Sequence, residues 1–179
     1  VLHHVAAAPL LHHALTAGRT LEPSRIVIVA GHGAEEVTTA AQAFDEACEV
    51  VIQDPQLGTA HAVAQAAPLL AAAAGEAIVL YADTPFIRPE TLAAMLDARA
   101  RHAVVVLGFQ ARDPGRYGRL IADGDDLQRI VEYKDASEAE RAITLCNSGV
   151  ICASAKTLFD LVAQVGNANA AGEYYLTDI

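Results

Sequence analysis

Asp83 follows the apolar run Ile78-Val79-Leu80 and opens Asp83-Thr84-Pro85. A carboxylate closing a strand can hold a hard cation such as magnesium, which takes one or two protein carboxylates plus substrate oxygens. The competing role is that of a turn residue ahead of Thr84-Pro85. Gln53 closes a second apolar run, just before Asp54-Pro55. Its amide sets a donor beside an acceptor and so matches the edge of a nucleobase. An amide can also turn over, so its neighbours must decide whether it meets a uracil-like or a cytosine-like edge. Without such neighbours Gln53 is a strand end in water.

Other polar residues are open to two readings each. In Gln56-Leu-Gly-Thr-Ala-His61, Gly58 lets the backbone approach a ligand and the first amides of a following helix point at it. Thr59 could equally be a plain N-cap. His61, on an apolar helix face, reads as a packed core histidine. Glu132 could accept two hydrogen bonds from a sugar diol, or pair with Lys134 or Arg129, the reading residue type favours. Asn147 could bind a hydroxyl or an acetamido group, although Asn147-Ser-Gly149 is also a common turn. The paired histidines His3-His4 and His12-His13 suggest no metal site. No GxSxG, GxxxxGK[ST] or post-strand GxGxxG string occurs, and no nucleophile for covalent catalysis stands out.

The elements that would position these residues alternate. Arg25–Ala30, Glu49–Gln53, Ala77–Ala82 and Ala103–Phe109 read as strands, the apolar ones buried on both faces. Ala34–Phe44, Ala60–Ala73 and Pro89–Arg101 read as helices, as does Pro9–Ala17. After Phe109 the pattern changes to a polar hairpin, Arg119–Ala122 and Leu127–Glu132, with Asp123–Asp126 as a solvated tip. A short helix, Ser137–Ile143, opens on a Ser137/Glu140 capping box. Leu145–Ala153 is a strand and Ala155–Val165 a helix. This implies an α/β fold: a doubly wound, mostly parallel sheet with an antiparallel excursion in the second half. In such sheets ligands sit beyond the carboxyl ends of strands, where Gln53 and Asp83 fall.

Composition supports one domain. The 179 residues are 53% hydrophobic and 19% charged, enough for a substantial core. A net charge of -10, from 12 basic and 22 acidic residues, argues against nucleic acid or an anionic membrane as partner. Three cysteines without a CxxC pair point to a reducing, cytoplasmic setting. The start Val-Leu-His-His has no signal-peptide order and no initiator methionine, so the chain is expected to be part of a longer one.

Several strings together resemble one family. Gln53-Asp-Pro-Gln-Leu-Gly-Thr-Ala-His61, Tyr81-Ala-Asp-Thr-Pro85, Tyr117-Gly-Arg119, Ile130-Val-Glu-Tyr-Lys-Asp135, Asn147-Ser-Gly149 and Gly172-Glu-Tyr-Tyr-Leu-Thr-Asp178 occur in the order and spacing of the uridylyltransferase domain of bacterial bifunctional N-acetylglucosamine-1-phosphate uridylyltransferase/glucosamine-1-phosphate acetyltransferase. The resemblance covers nearly the whole chain. It implies a Rossmann-like nucleotide-diphospho-sugar transferase fold and transfer of UMP from UTP to N-acetylglucosamine 1-phosphate. The products would be pyrophosphate and UDP-N-acetylglucosamine, a precursor of peptidoglycan and lipopolysaccharide. Magnesium would be the cofactor, with Asp83 its ligand. Gln53, Gly58 and Thr59 would hold the uracil end, and Tyr81 and Ala82 would line the cleft. Gly118, Glu132 and Asn147 would contact the amino sugar, with Tyr175 and Thr177 beside them. Ala82 stands where the family commonly has glycine.

The resemblance also implies parts outside residues 1–179. A first strand and a basic, glycine-rich loop would precede Val1, and a second magnesium ligand, an asparagine, would lie beyond Ile179. An acetyltransferase β-helix, which makes such proteins trimeric, would follow. Without the first strand the sheet is expected to have a gap at or near its centre. Two other classes remain open from sequence: another sugar-phosphate or molybdopterin nucleotidyltransferase, and a binding domain that kept the scaffold without catalysis.

Overall fold

The chain is described over residues 1–179 by a computed structural model. β1 (His4–Val5) and β2 (Ala8–Pro9) form a small antiparallel ribbon ahead of α1 (Leu10–Arg19). β3 (Val27–Ala30), α2 (Ala34–Phe44) and β4 (Glu49–Ile52) make a βαβ unit with its two strands parallel. α3 (Thr59–Ala64) and α4 (Ala67–Leu70) lead to β5 (Glu76–Val79), α5 (Pro89–Arg99) and β6 (Val104–Gln110). β7 (Arg119–Asp123) and β8 (Asp126–Val131) form the expected hairpin. α6 (Glu138–Arg141), β9 (Leu145–Ser154), α7 (Ala155–Val162) and a 3-10 turn at Leu176–Asp178 complete the order. No helix is long and apolar enough to cross a membrane.

The α/β class expected from the strand–helix alternation is present as an open, mixed sheet. β9 is its axis. β6 pairs with it antiparallel from Val104↔Ala153 to Gln110↔Leu145, and β5 pairs on its other edge from Glu76↔Ser154 to Val79↔Ile151. β7 joins at Arg119↔Cys146. β5 and β6 therefore run parallel to one another with β9 reversed between them, so the antiparallel excursion enters the middle of the sheet. β3–β4 is the parallel hydrogen-bonded pair. No hydrogen bond joins β3–β4 to the β5–β9 sheet, and β3 and β5 each have one partner strand.

Side-chain alternation along β9 explains the layering, because successive residues of a strand face opposite sides. Val150 and Cys152 pack with Ala17 of α1 and with Leu92 and Met95 of α5. Ile151 and Ala153 pack with Leu158 and Val162 of α7, Ala60 of α3 and Leu176. A third cluster joins Leu11 and Leu15 of α1 to Ile28, Ala30, Val37 and Ala41. α1 thus touches both halves and holds them together across the break. Each of the larger side chains buried here contributes about 1.5–3 kcal/mol of transfer free energy.

Two expected elements come out differently. The single helix over Ala60–Ala73 is two short helices, α3 and α4. Pro68 lacks the N–H that would continue the ladder, and its ring crowds the preceding turn. The strand over Ala77–Ala82 ends at Val79, because β9 becomes irregular at Gly149 (φ +88°), opposite the residues that follow. Tyr81, Ala82 and Asp83 are released from the ladder as a result. The capping box of α6 forms as expected: Ser137 N donates to Glu140 Oε2 (2.7 Å) and Glu140 N to Ser137 Oγ (3.3 Å).

Candidate active site

The turn after β4 brings Gln53 back onto the start of α3. Its Nε2 donates to the Gly58 carbonyl at 2.9 Å and lies 3.1 Å from His61 Nδ1. Gly58 has φ +120°, and a Cβ there would lie 2.5 Å from the Tyr174 carbonyl oxygen. Only glycine fits, since the Tyr174 backbone is clamped on this loop: its N–H donates to Leu57 O (2.8 Å) and its carbonyl accepts from Ala60 N (2.9 Å). Two sequence expectations change. Thr59 is not the N-cap; Gly58 occupies that place, and the Thr59 hydroxyl accepts from Leu176 N at 2.9 Å. His61 is not a packed core residue. It is half-buried between two amides, those of Gln53 and Gln65, the latter 3.2 Å from its Nε2.

Tyr81, freed from β5, lies across Gly149, whose Cβ, if present, would come within 2.9 Å of the ring. Its phenol hydrogen-bonds Thr59 and is charged with difficulty. Burial raises its pKa; the Thr59 bond opposes that, and the Glu132 and Asp83 carboxylates add to it. One phenol therefore senses residues from β4–α3, the β5 tail and β8. Asp83 is exposed and makes no hydrogen bond within the chain; the turn is closed by Thr84 N and Oγ1 donating to Tyr81 O at 3.2 and 3.1 Å. The turn-residue role is thus taken by the Tyr81 carbonyl. Ala82, between them, packs toward the α1–β3 cluster.

Gly118, Glu132 and Asn147 converge from β7, β8 and β9. A Cβ on Gly118 would lie 3.4 Å from Glu132 Oε1 and 3.6 Å from Asn147 Cβ. Asn147, 7% exposed, donates from its backbone N–H to Gly118 O (2.9 Å), while its Oδ1 accepts from Gly149 N (3.0 Å). Its Nδ2 is left as a donor. Glu132 is not in the ion pair that residue type favoured, because Arg129 pairs with Glu140 at 2.5 Å. Its carboxylate accepts from Thr177 Oγ1 at 3.1 Å. Burial raises the Glu132 pKa; the Thr177 bond lowers it, and the Asp178 and Asp135 charges raise it further. Tyr175 is half-buried, and its phenol is shifted up by burial and by the surrounding carboxylates, Asp135 first.

Arg119, for which the sequence suggests no role, receives one from the fold. It is 1% exposed and faces no carboxylate. Its guanidinium donates to the carbonyls of Gly115 (3.0 Å), Arg141 (3.1 Å), Pro114 (3.4 Å) and Tyr117. The loop ending at Gly118 is thereby tied to the end of α6. An arginine at the head of the apolar strand Leu120-Ile121 was the available signal.

The chain gathers no trio of His, Cys, Asp or Glu side chains into a metal cage. Asp83 offers a hard, exposed carboxylate with nothing else bonded to it. That suits an ion shared with substrate phosphates, which keeps most of its coordination outside the protein.

An α/β sheet with an exposed carboxylate, a glycine-containing loop and a polar corner of Glu132 and Asn147 beyond its strands fits a nucleotidyltransferase-type domain. The chain belongs to the family of MobA-like NTP transferase domains, which it matches over residues 1–173. It is 74% identical over 179 residues to the Bifunctional protein GlmU of Cereibacter sphaeroides, covering all of this chain and 39% of that protein. To the Bifunctional protein GlmU of Ruegeria pomeroyi it is 60% identical, covering 100% and 40%. The chain thus spans about two fifths of the length of the curated relatives it matches. In fold it is similar to UDP-glucose pyrophosphorylase complexed with UDP-glucose, with TM-score 0.78, 16% identity, and 99% of this chain and 75% of that chain covered. It is also similar to HddC from Yersinia pseudotuberculosis complexed with GMP-PN, with TM-score 0.69, 18% identity, and 98% and 72% covered.

Proposed function

We propose that the protein containing this chain transfers UMP from UTP to N-acetylglucosamine 1-phosphate, releasing pyrophosphate and UDP-N-acetylglucosamine. The observation that carries this reading is the placement of Tyr81, whose ring lies across Gly149, two residues from Asn147, and whose phenol is influenced by Thr59, Glu132 and Asp83. Nucleotide loop, phosphate-facing carboxylate and sugar corner therefore share one cleft. The high identity to the bifunctional relatives supports the same assignment.

In this reading a phosphate oxygen of the sugar phosphate attacks the α-phosphorus of UTP in line, and the bond to the β-phosphate breaks. The attacking oxygen is already anionic, so no base is required. The residues orient and exclude rather than move protons. Gln53 and the Gly58–Thr59 backbone hold the base. Tyr81 and the Ala82 backbone wall the cleft, the Ala82 methyl being turned to the α1–β3 cluster. Glu132 and the free Asn147 amide bracket the sugar hydroxyls and acetamido group over Gly118, and Thr177 and Tyr175 close that corner. Asp83 would hold Mg2+, which when bound neutralises phosphate charge. On the same reading the intact protein is cytoplasmic and homotrimeric, with an acetyltransferase half, a strand beside β3 and β5, and a basic glycine-rich loop.

The test is pyrophosphate release by the full-length protein. UTP with N-acetylglucosamine 1-phosphate should turn over at least tenfold faster than UTP with glucose 1-phosphate, because an unpaired polar group in the sugar corner costs about 1–3 kcal/mol. Preference for GTP and a molybdopterin acceptor would replace this reading with the runner-up.

A further inference from the structure

The orientation of the Gln53 amide follows from its partners. The Gly58 carbonyl that accepts from Gln53 Nε2 at 2.9 Å also accepts from Ala62 N at 3.0 Å. A carbonyl cannot donate, so turning the amide over would press two acceptor oxygens together at that distance. The second hydrogen on Gln53 Nε2 points to His61 Nδ1, 3.1 Å away. A neutral imidazole accepts at one nitrogen, and acceptance at Nδ1 places its own hydrogen on Nε2. Gln65, whose amide nitrogen lies 3.2 Å from that nitrogen and donates to the His61 carbonyl at 3.0 Å, must then swing off both atoms and leave the Nε2 hydrogen to solvent. Both hydrogens of Gln53 Nε2 are then engaged, and Oε1 has no partner in the chain.

We propose that His61 is a positioning residue for base selection: with the Gly58 carbonyl it holds the Gln53 amide with its oxygen toward the nucleotide. The site then takes pyrimidines that present an N–H, uracil or thymine, and rejects cytosine, whose N3 carries a lone pair. The inference rests on Gln53 as the base-facing residue of the proposed function.

The experiment compares kcat/KM for UTP and CTP in the full-length protein and in its His61→Ala, His61→Asn and Gln53→Ala variants. Losing the acceptor at Nδ1 leaves the Gly58 carbonyl as the one restraint on the amide, so His61→Ala should lower the UTP/CTP ratio about tenfold. His61→Asn, whose Oδ1 falls near the place of Nδ1, should keep most of the ratio. A role in packing alone would lower the melting temperature of His61→Ala without moving the ratio. That result, with the ratio lost in Gln53→Ala, overturns the proposal for His61 and spares the reading of Gln53. A ratio unchanged in Gln53→Ala overturns both.

Discussion

Thr177 Oγ1 donates to Glu132 Oε1 at 3.1 Å, and it is the sole hydrogen-bond donor the chain offers this carboxylate. Thr177 lies in the same segment that clamps Gly58 through Tyr174 and Thr59 through Leu176. The four residues Tyr174 to Thr177 thus tie the base loop to the sugar corner.

This bond sets a pH dependence. Burial holds the Glu132 pKa above the ordinary carboxylate value, and Thr177 works against that shift. Sugar-phosphate binding through an ionised Glu132 should weaken as pH falls through the raised pKa. Removing the hydroxyl in Thr177→Val should move the acid limb of kcat/KM for the sugar phosphate to higher pH. An acid limb that stays in place would exclude Glu132 as its source.

The same shift has a consequence for stability. The folded-state pKa lies above the unfolded one, so the native carboxylate carries no penalty at pH below the unfolded value. The penalty appears as pH rises through the folded value. Glu132→Gln should therefore raise the melting temperature at neutral pH, and the difference should vanish toward pH 4 and below. Thermal melts across that range check the sign.

Asp83 is exposed and bonded to nothing in the chain, so Asp83→Asn should leave the melting temperature unchanged. If it holds the cation, turnover in the full-length protein should fall about 100-fold or more. Chelation should silence the wild type, and the variant should require a higher magnesium concentration for its residual rate. Wild-type turnover in Asp83→Asn would remove this residue from the mechanism.

Gly58→Ala adds a Cβ 2.5 Å from the Tyr174 carbonyl at φ +120°. The loop must shift, at a cost of about 1–3 kcal/mol. Urea denaturation should show that loss together with a raised KM for UTP, since Gln53 is oriented by the same Gly58 carbonyl. Stability lost without any change in KM would separate the loop from nucleotide binding.

Arg119→Met removes the donor shared by the carbonyls of Gly115, Tyr117 and Arg141 and unties the loop before Gly118 from the end of α6. It should cost about 3 kcal/mol of unfolding free energy. Arg119→Lys should recover part of it, because one ammonium reaches fewer of these oxygens than the planar guanidinium. Equal stability in all three proteins, measured in urea, would show the carbonyls finding other partners.

The chain's local code was enough for α2, whose bounds match the expected Ala34–Phe44, and for the capping box at Ser137, because both depend on residues within a few positions of one another. The same holds for Gln53, which directly follows β4, whereas Asp83 lies four residues past the end of β5. Residue type could not tell whether Glu132 would pair with Arg129, whether Thr59 would cap α3, or which way the Gln53 amide would point. The partner of the Thr59 hydroxyl lies 117 residues away along the chain, and even Gly58, five residues from Gln53, meets its amide only through the turn that folds Gln53 back onto α3. A hydrogen bond or a buried charge is decided by what lies within about 3 Å, and that neighbourhood exists only in the folded chain.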